Sequence, residues 1–452
     1  MSSSMLPIVE NIPVKYFIEP VPPMDRPRRF LEVFAAVLKH SHYRYVLDHF
    51  ARVAAKCGMC AVECPVYQTT GITTDVPCAR SGLLLDVYRR HFTAEGRLMA
   101  RLTAARPLEN ADIDAMTEAF YRCTACRRCN LQCPMGLDHG LITHLGRYIL
   151  SEMGIAPKAL VVSVREQLVG KSGNTSGIPA PALLDTLSFL EEDLKDKFGL
   201  DIKLPTDVEG AEYVFFPAVS DYLLEPDVLM GQAAVFHATG DSWTIGTGYF
   251  DGINYGLFYN DRFLEDIVHK EVAECRRLKG KKMLIGECGH ASRTAKGFVP
   301  TYGGENPPPV INILEYTDRA IQEGKLKLNP DVIEDRVTYH DPCNYARSGW
   351  IVEQPRRIIR SFIKDFVEME PHGKENYCCG GGGGTVSIDE MRGFRTGIGG
   401  KRKAEQLRAT GAKYVIAPCA NCKKQLKEVI EDHKLEIELI GLHDLILRAI
   451  EF

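Results

Sequence analysis

Two adjacent cysteines run directly into five glycines in Tyr377-Cys378-Cys379-Gly380-Gly381-Gly382-Gly383-Gly384-Thr385, and no other stretch of this 452-residue chain points so directly to chemistry. Neighbouring thiols rarely both point into one packed core, so the pair reads as the edge of a metal site. Glycine tolerates positive φ and lets backbone N–H groups approach a bulky anion closely. Cys343 lies upstream in His340-Asp341-Pro342-Cys343-Asn344, and Cys419 and Cys422 lie downstream in Ala417-Pro418-Cys419-Ala420-Asn421-Cys422, which gives C-x34-CC-x39-C-x2-C. Five thiols exceed the four ligands of a tetrahedral zinc site, the alternative occupant. A glycine run is also a flexible linker in other settings. Here cysteines abut it and α/β-patterned sequence follows, which suits a linker poorly.

Two further cysteine runs lie earlier. Cys123-Thr124-Ala125-Cys126-Arg127-Arg128-Cys129-Asn130-Leu131-Gln132-Cys133-Pro134 is the C-x2-C-x2-C-x3-C-P run, in which three thiolates bind one cubane [4Fe-4S] cluster and the fourth ligates the other. Cys57-Gly58-Met59-Cys60-Ala61-Val62-Glu63-Cys64-Pro65 keeps the last three cysteines of that template and has Ala54 in the leading place. Crossed ligation then groups Cys123, Cys126 and Cys129 with Cys64, and Cys57 and Cys60 with Cys133. The first cube is left one thiolate short. Cys78, directly after Pro77, is the candidate fourth ligand, reached by a loop of modest closure cost. The alternative is a buried cysteine acting as a small hydrophobe.

These residues need elements to position them. Residues 1–27 carry six prolines and read as an extended arm. From Arg28 the pattern is helical, with Phe30, Val33, Phe34, Val37 and Leu38 on one face, which either packs on its own domain or rests on a partner. Residues 79–122 read as a helical insertion between the two cysteine runs, and 135–170 as helical. From about Glu212 short β runs alternate with helices. That region repeats itself: Lys281 to Ala291 reads like Ala412 to Cys422, and Tyr213 to Ala218 reads like Arg336 to Cys343. Ligands in α/β sheets bind at such strand ends. In the first half Ala218, Gly246-Thr247-Gly248-Tyr249 and Ala291 stand where cysteines would fall, so the reading is two pseudo-symmetric halves with one cluster, in the second.

The expected class is therefore a multidomain α+β chain: a helical two-cluster ferredoxin-like domain, then a pseudo-duplicated α/β cysteine-rich domain. The expected boundaries are an N-terminal arm and docking helix over 1–50, the ferredoxin-like domain over 51–160, a linker and helix over 161–205, a degenerate first half over 206–330 and a cluster-bearing second half over 331–452. His290 and His340 lie close to cysteines at strand ends and are candidate proton carriers or, equally, orienting hydrogen-bond groups. Arg347, Arg356, Arg357, Lys401, Arg402 and Lys403 flank the Cys378-Cys379 region, either to steer an acidic partner or as solvated helix faces.

Composition narrows the classes. A net charge of −4 argues against nucleic acid as the main partner. Fifteen cysteines, clustered and odd in number, fit thiolate metal sites in a reducing compartment better than disulfides. No apolar run approaches the roughly eighteen residues that span a bilayer. The expected location is cytoplasmic, with any membrane contact peripheral.

The C-x34-CC-x39-C-x2-C set resembles the CCG module of heterodisulfide reductases. Together with both ferredoxin runs and Gly286-Glu287-Cys288-Gly289-His290, the chain resembles the heterodisulfide reductase D-like iron–sulfur proteins, such as the K-type subunit of the Dsr complex and the B-type subunit of the Tmc complex, over about residues 50–452. The resemblance implies a noncubane [4Fe-4S] cluster on Cys343, Cys378, Cys379, Cys419 and Cys422 beside two cubane clusters. It also implies a place on the inner face of the cell membrane next to a haem-b subunit of the nitrate reductase gamma type, other subunits of a transmembrane redox complex in sulfate or sulfite respiration, and a small disulfide or dithiol partner. Flavin-linked hydroxyacid (glycolate or lactate) oxidases use a similar iron–sulfur subunit but tend to keep both modules. A non-catalytic electron-transfer subunit is the third class.

Overall fold

Phe30, Val33, Phe34, Val37 and Leu38 recur at helical spacing and line one face of the helix Arg26–His40. In the computed structural model of the chain, which describes residues 8–9, 25–40 and 43–452, all five are buried. They pack with Leu47, Leu84, Leu85, Met116, Phe120, Leu145 and Ile149 in one core. The face is thus covered by its own unit, and the expected docking helix turns its stripe inward. The helix starts at Arg26 because Pro27 falls in the first turn, where a missing N–H costs no hydrogen bond. Most of the expected arm, residues 1–7 and 10–24, lies outside the described residues; Ile8–Val9 forms strand β1, antiparallel to β2 (Ala156–Pro157).

The chain divides into two compact units. The first comprises Met1–Val161, Phe258–Asp261 and Gly380–Lys401. Between its cysteine runs stand the helices Pro77–Phe92, Ala94–Leu102 and Asn110–Tyr121, and His139–Glu152 follows the second run. Arg122 closes this bundle from within, donating through Nε and Nη2 to the two carboxylate oxygens of buried Asp75 at 2.8 and 2.7 Å.

In the second unit, Val162–Leu257, Arg262–Cys379 and Arg402–Phe452, the apolar period shortens. Strand β3 (Tyr213–Phe216) is buried along its whole length, as a parallel strand covered on both faces requires. It lies between β4 (Trp243–Thr244) and β5 (Lys282–Ile285), with β6 (Val310–Asn312) beyond β5, all parallel. After β7 (Lys327–Leu328), the strands β8 (Val337–Tyr339), β9 (Phe366–Val367), β10 (Tyr414–Ile416) and β11 (Glu438–Ile440) form a second parallel sheet in the order β9-β8-β10-β11. The order matches β4-β3-β5-β6 strand for strand, so the faint sequence repeat is a duplication of fold. β12 (Ile450–Glu451) returns antiparallel to β7. The halves share a core: Phe215, Phe236 and Tyr316 join Tyr339, Ile359 and Leu445. Among the described residues no helix is long and apolar enough to cross a membrane.

Candidate metal centres

Pro77 opens the helix Pro77–Phe92 and places Cys78 in its first turn. Cys57, Cys60, Cys78 and Cys133 then line one cavity, together with Ala54 and His139. The Cys78 amide donates to Cys60 Sγ at 3.3 Å, and the Leu137 amide to Cys133 Sγ at 3.4 Å. Burial pushes the Cys60 thiol up to about 12. Cys78 thus reaches the first half-motif by a helix start, where the sequence suggested a loop. His139, whose Nδ1 pairs with Ser81 Oγ at 2.9 Å, is held down at about 4 by burial.

The second group is Cys64, Cys123, Cys126 and Cys129. Burial raises the thiols of Cys64 and Cys129, and the neighbouring Cys123 and Cys126 raise both further. The loop that carries them turns through Ala125 and Arg127 at φ 51° and 60°, a left-handed conformation that costs non-glycine residues about 1–3 kcal/mol each. Arg80, 2% exposed, counters the thiols. Its Nη2 donates to Asp75 O at 3.0 Å, while its Nε is buried with no acceptor among the described residues. An orphaned guanidinium N–H beside four thiols fits an anionic sulfur-rich group.

The glycine run belongs to this first unit. A Cβ on Gly382 would stand 2.2 Å from Thr124 O, and Gly383 has φ +65°. Arg147 ties the two segments, donating through Nη2 to Cys123 O at 2.6 Å and through Nη1 to Gly383 O at 2.7 Å. The glycines expected as an anion cradle are thus also required because side chains would collide with the backbone of the second cysteine run.

In the second unit the strand ends bring the CCG thiols together. Cys379 Sγ lies 3.6 Å from Cys422 Sγ, and His340 joins them so that the three ligand atoms fall within 4.8 Å of one another. Hydrogen bonds from Cys378 and Cys422 hold the Cys379 thiol well below its ordinary value, and bonds from Cys288 and Cys422 do the same for Cys419. Cys343 follows β8 and is buried. Its neighbours Pro342 and Asn344 flank Gly289, at which a Cβ would stand 3.6 Å from Cys419 Sγ. Buried thiols in contact, two of them held low, have the chemistry that a metal–sulfur donor set requires.

Burial holds His290 at about 4, and burial with the nearby Lys403 charge lowers His340. Both imidazoles are thereby held toward the neutral form at neutral pH. The basic residues divide. Arg357 pairs with Asp318 and Arg402 with Glu405 at or near the surface. Arg347, Arg356 and Lys403 are buried and can neither steer a partner nor form a solvated face. Arg356 is held by Asp341 and Glu368, and Lys403 faces Asp341, Cys379 and Cys378. Arg80 and Arg147 carry no motif, and nothing in the sequence singles them out. For Cys288 the one signal is its position at the end of a repeated strand.

The 4Fe-4S dicluster domain family matches residues 55–137, and the cysteine-rich CCG domain family matches residues 337–427. The chain is 27% identical to the Hdr-like menaquinol oxidoreductase iron–sulfur subunit 2 of Archaeoglobus fulgidus, over 99% of this chain and 89% of that protein. It is 27% identical to the Hdr-like menaquinol oxidoreductase iron–sulfur subunit of Archaeoglobus profundus, over 89% and 79%. It is 25% identical to the D-type subunit of the dihydromethanophenazine:CoB–CoM heterodisulfide reductase of Methanosarcina barkeri, over 87% and 93%. The chain is an iron–sulfur protein of oxidoreductase type with [4Fe-4S] and CCG domains. These likenesses agree with the resemblance of its cysteine motifs to the heterodisulfide reductase D-like iron–sulfur proteins.

Proposed function

We propose that the chain is the electron-transfer subunit of a membrane-associated redox complex and exchanges electrons with a disulfide or dithiol at its CCG thiols. The carrying observation is the run of touching buried thiols at the strand ends of the second half, in a chain with two further groups of four. On this reading Cys57, Cys60, Cys78 and Cys133 hold one cubane [4Fe-4S] cluster and Cys64, Cys123, Cys126 and Cys129 the other. Cys343, Cys378, Cys379, Cys419 and Cys422 hold a noncubane [4Fe-4S] cluster.

Such clusters, when bound, supply one-electron steps and iron that binds sulfur, chemistry that side chains lack. The residues present supply the rest. Arg80 sets a buried positive charge, its Nε without acceptor among the described residues, beside the second group, and Lys403 sets a buried positive charge beside Cys378 and Cys379. His340 and His290 orient thiols. Splitting a disulfide takes two electrons and two protons and yields two thiols; the partners' potentials set the direction. The relatives' names, a menaquinol oxidoreductase and a dihydromethanophenazine-linked heterodisulfide reductase, support a membrane partner that handles a lipid-soluble carrier. We assign that partner as a haem-b subunit, with the chain peripheral on the inner face, serving sulfate or sulfite respiration through a small dithiol protein.

The test is EPR of the anaerobically purified protein, with and without oxidant and candidate dithiols, beside iron and sulfide counts. The expected result is a paramagnetic signal in the oxidised state that changes on adding dithiol, plus two reducible cubanes. Absence of any oxidised-state signal overturns the CCG assignment. Cys78→Ala is expected to lose or convert one cubane; unchanged iron content and reduction behaviour removes Cys78 from the ligand set.

A further inference from the structure

By sequence Cys288 belongs to the half that lost most of its cysteines, yet its thiol meets the set carried by the other half. It follows β5, is fully buried, and shares a hydrogen bond with Cys419. Its backbone is locked to the same loop, since the Ala420 amide donates to Glu287 O at 3.1 Å. The following Gly289 leaves little room for a side chain, set between Pro342, Asn344 and Cys419 Sγ. Arg293, on the helix that begins there, donates to Asn344 Oδ1 at 3.2 Å. The segment is therefore fastened to both loops that carry Cys343 and Cys419. His290 Nδ1 lies 3.4 Å from Cys288 Sγ and 3.2 Å from Asn421 Nδ2, an atom of the Cys419-to-Cys422 turn.

We propose that Cys288 is a sixth thiolate of the CCG centre, a direct iron ligand contributed by the first half, with His290 as its positioning residue. The proposal rests on the CCG cluster reading above. A lone buried cysteine acts as a small hydrophobe, but this one touches a thiol of the set, and the chain around it is clamped to that set at three points. The remnant half thus supplies one sulfur to the centre of the other.

The experiment uses the full-length protein, purified anaerobically, and reads the oxidised-state EPR signal. Cys288→Ser and Cys288→Ala are expected to shift its g values beyond the linewidth while both cubane signals keep wild-type intensity, which also reports an intact fold. If these variants fail to accumulate, replacing the sulfur of Cys288 by 77Se keeps the side chain. Ligation then splits or broadens the signal by hyperfine coupling. His290→Gln is expected to produce a smaller shift of the same kind. A wild-type signal that neither variant moves and 77Se does not broaden overturns the sixth ligand and leaves the CCG cluster standing. Absence of the signal from wild type overturns both.

Discussion

The two halves of the α/β unit share strand order, crossover helices and a core, yet they fill their strand ends with different chemistry. The ends of β8, β9 and β10 lead to Cys343, Cys378-Cys379 and Cys419. At the matching ends of β3, β4 and β5 stand Ala218, Gly246-Thr247-Gly248-Tyr249 and Cys288. The first half instead buries carboxylates: Asp221, Asp251, Glu271 and Glu287 are all 1% exposed or less. Two of these serve the other half. Asp221 pairs with Lys423, the residue after Cys422, at 3.3 Å, and Glu287 pairs with His443 at 2.6 Å. A duplicated fold has kept one half as a thiol centre and turned the other into its electrostatic support.

The largest effect is expected where the halves differ most. Cys379→Ser removes the thiol that contacts Cys378, Cys422 and His340. It should abolish the oxidised-state paramagnetic signal while both cubanes remain reducible, as EPR with iron and sulfide counts will show. A retained signal would mean that the thiol-rich half is not the seat of the centre.

Next comes the charge that joins the halves. Lys423→Met leaves Asp221 buried without its cation. Breaking a buried pair from one side costs about 3–5 kcal/mol when the remaining group stays charged, and less here because burial already holds the Asp221 carboxyl up at about 7. Denaturant unfolding should show a lower midpoint at unchanged slope. Adding Asp221→Leu to the same chain should recover much of the loss. If Lys423→Met alone is neutral, the first half does not support the second in this way.

A smaller effect is confined to the first half and depends on pH. Burial holds Asp251 up at about 6 against an ordinary 3.8, even though Thr175 and Ile253 donate to it. The folded chain therefore keeps this proton to a higher pH than the unfolded chain. The contribution is complete below about pH 4 and is lost as pH rises through 6, by about 3 kcal/mol. Asp251→Asn should flatten that part of the stability profile, measured by unfolding at intervals from pH 4 to 7.

What could be read in the sequence was what local spacing encodes. C-x2-C-x2-C-x3-C-P and the Cys378-Cys379 pair announce thiol sites, and the apolar strands that deliver cysteines announce the duplication. What escaped depends on residues far apart in the chain. Nothing near Gly382 indicates that Thr124 O occupies the space of its side chain. Nothing near Arg356 or Lys403 indicates that they are interior, because Asp341 and Glu368, which bury Arg356, come from other strand ends. The stripe from Phe30 to Leu38 has the same periodicity whether it faces a partner or its own bundle; only the packing of Leu84, Phe120 and Ile149 decides.

The smallest expected effect tests whether the loss of thiols in the first half can be undone by one residue. Ala218 follows β3 as Cys343 follows β8, so Ala218→Cys returns the first thiol of a CCG set to its place. The site around it has been taken over. Glu274 Oε1 accepts from the Gly248 amide at 3.0 Å, and a Cβ on Gly246 would stand 2.1 Å from the same oxygen. Arg277 then pairs with Glu274 at 2.6 Å and with Asp207 at 2.5 Å. A carboxylate and guanidinium network thus fills the end of β4 where paired cysteines would stand, and Ala291 supplies no fifth thiol. One added sulfur at a position 1% exposed costs about 1 kcal/mol through overpacking. Iron and sulfide per chain should remain at the wild-type value and the oxidised-state signal should keep its intensity. A rise in iron content with a second such signal would show that the first half still holds a centre in waiting, and the division of labour between the halves would have to be redrawn.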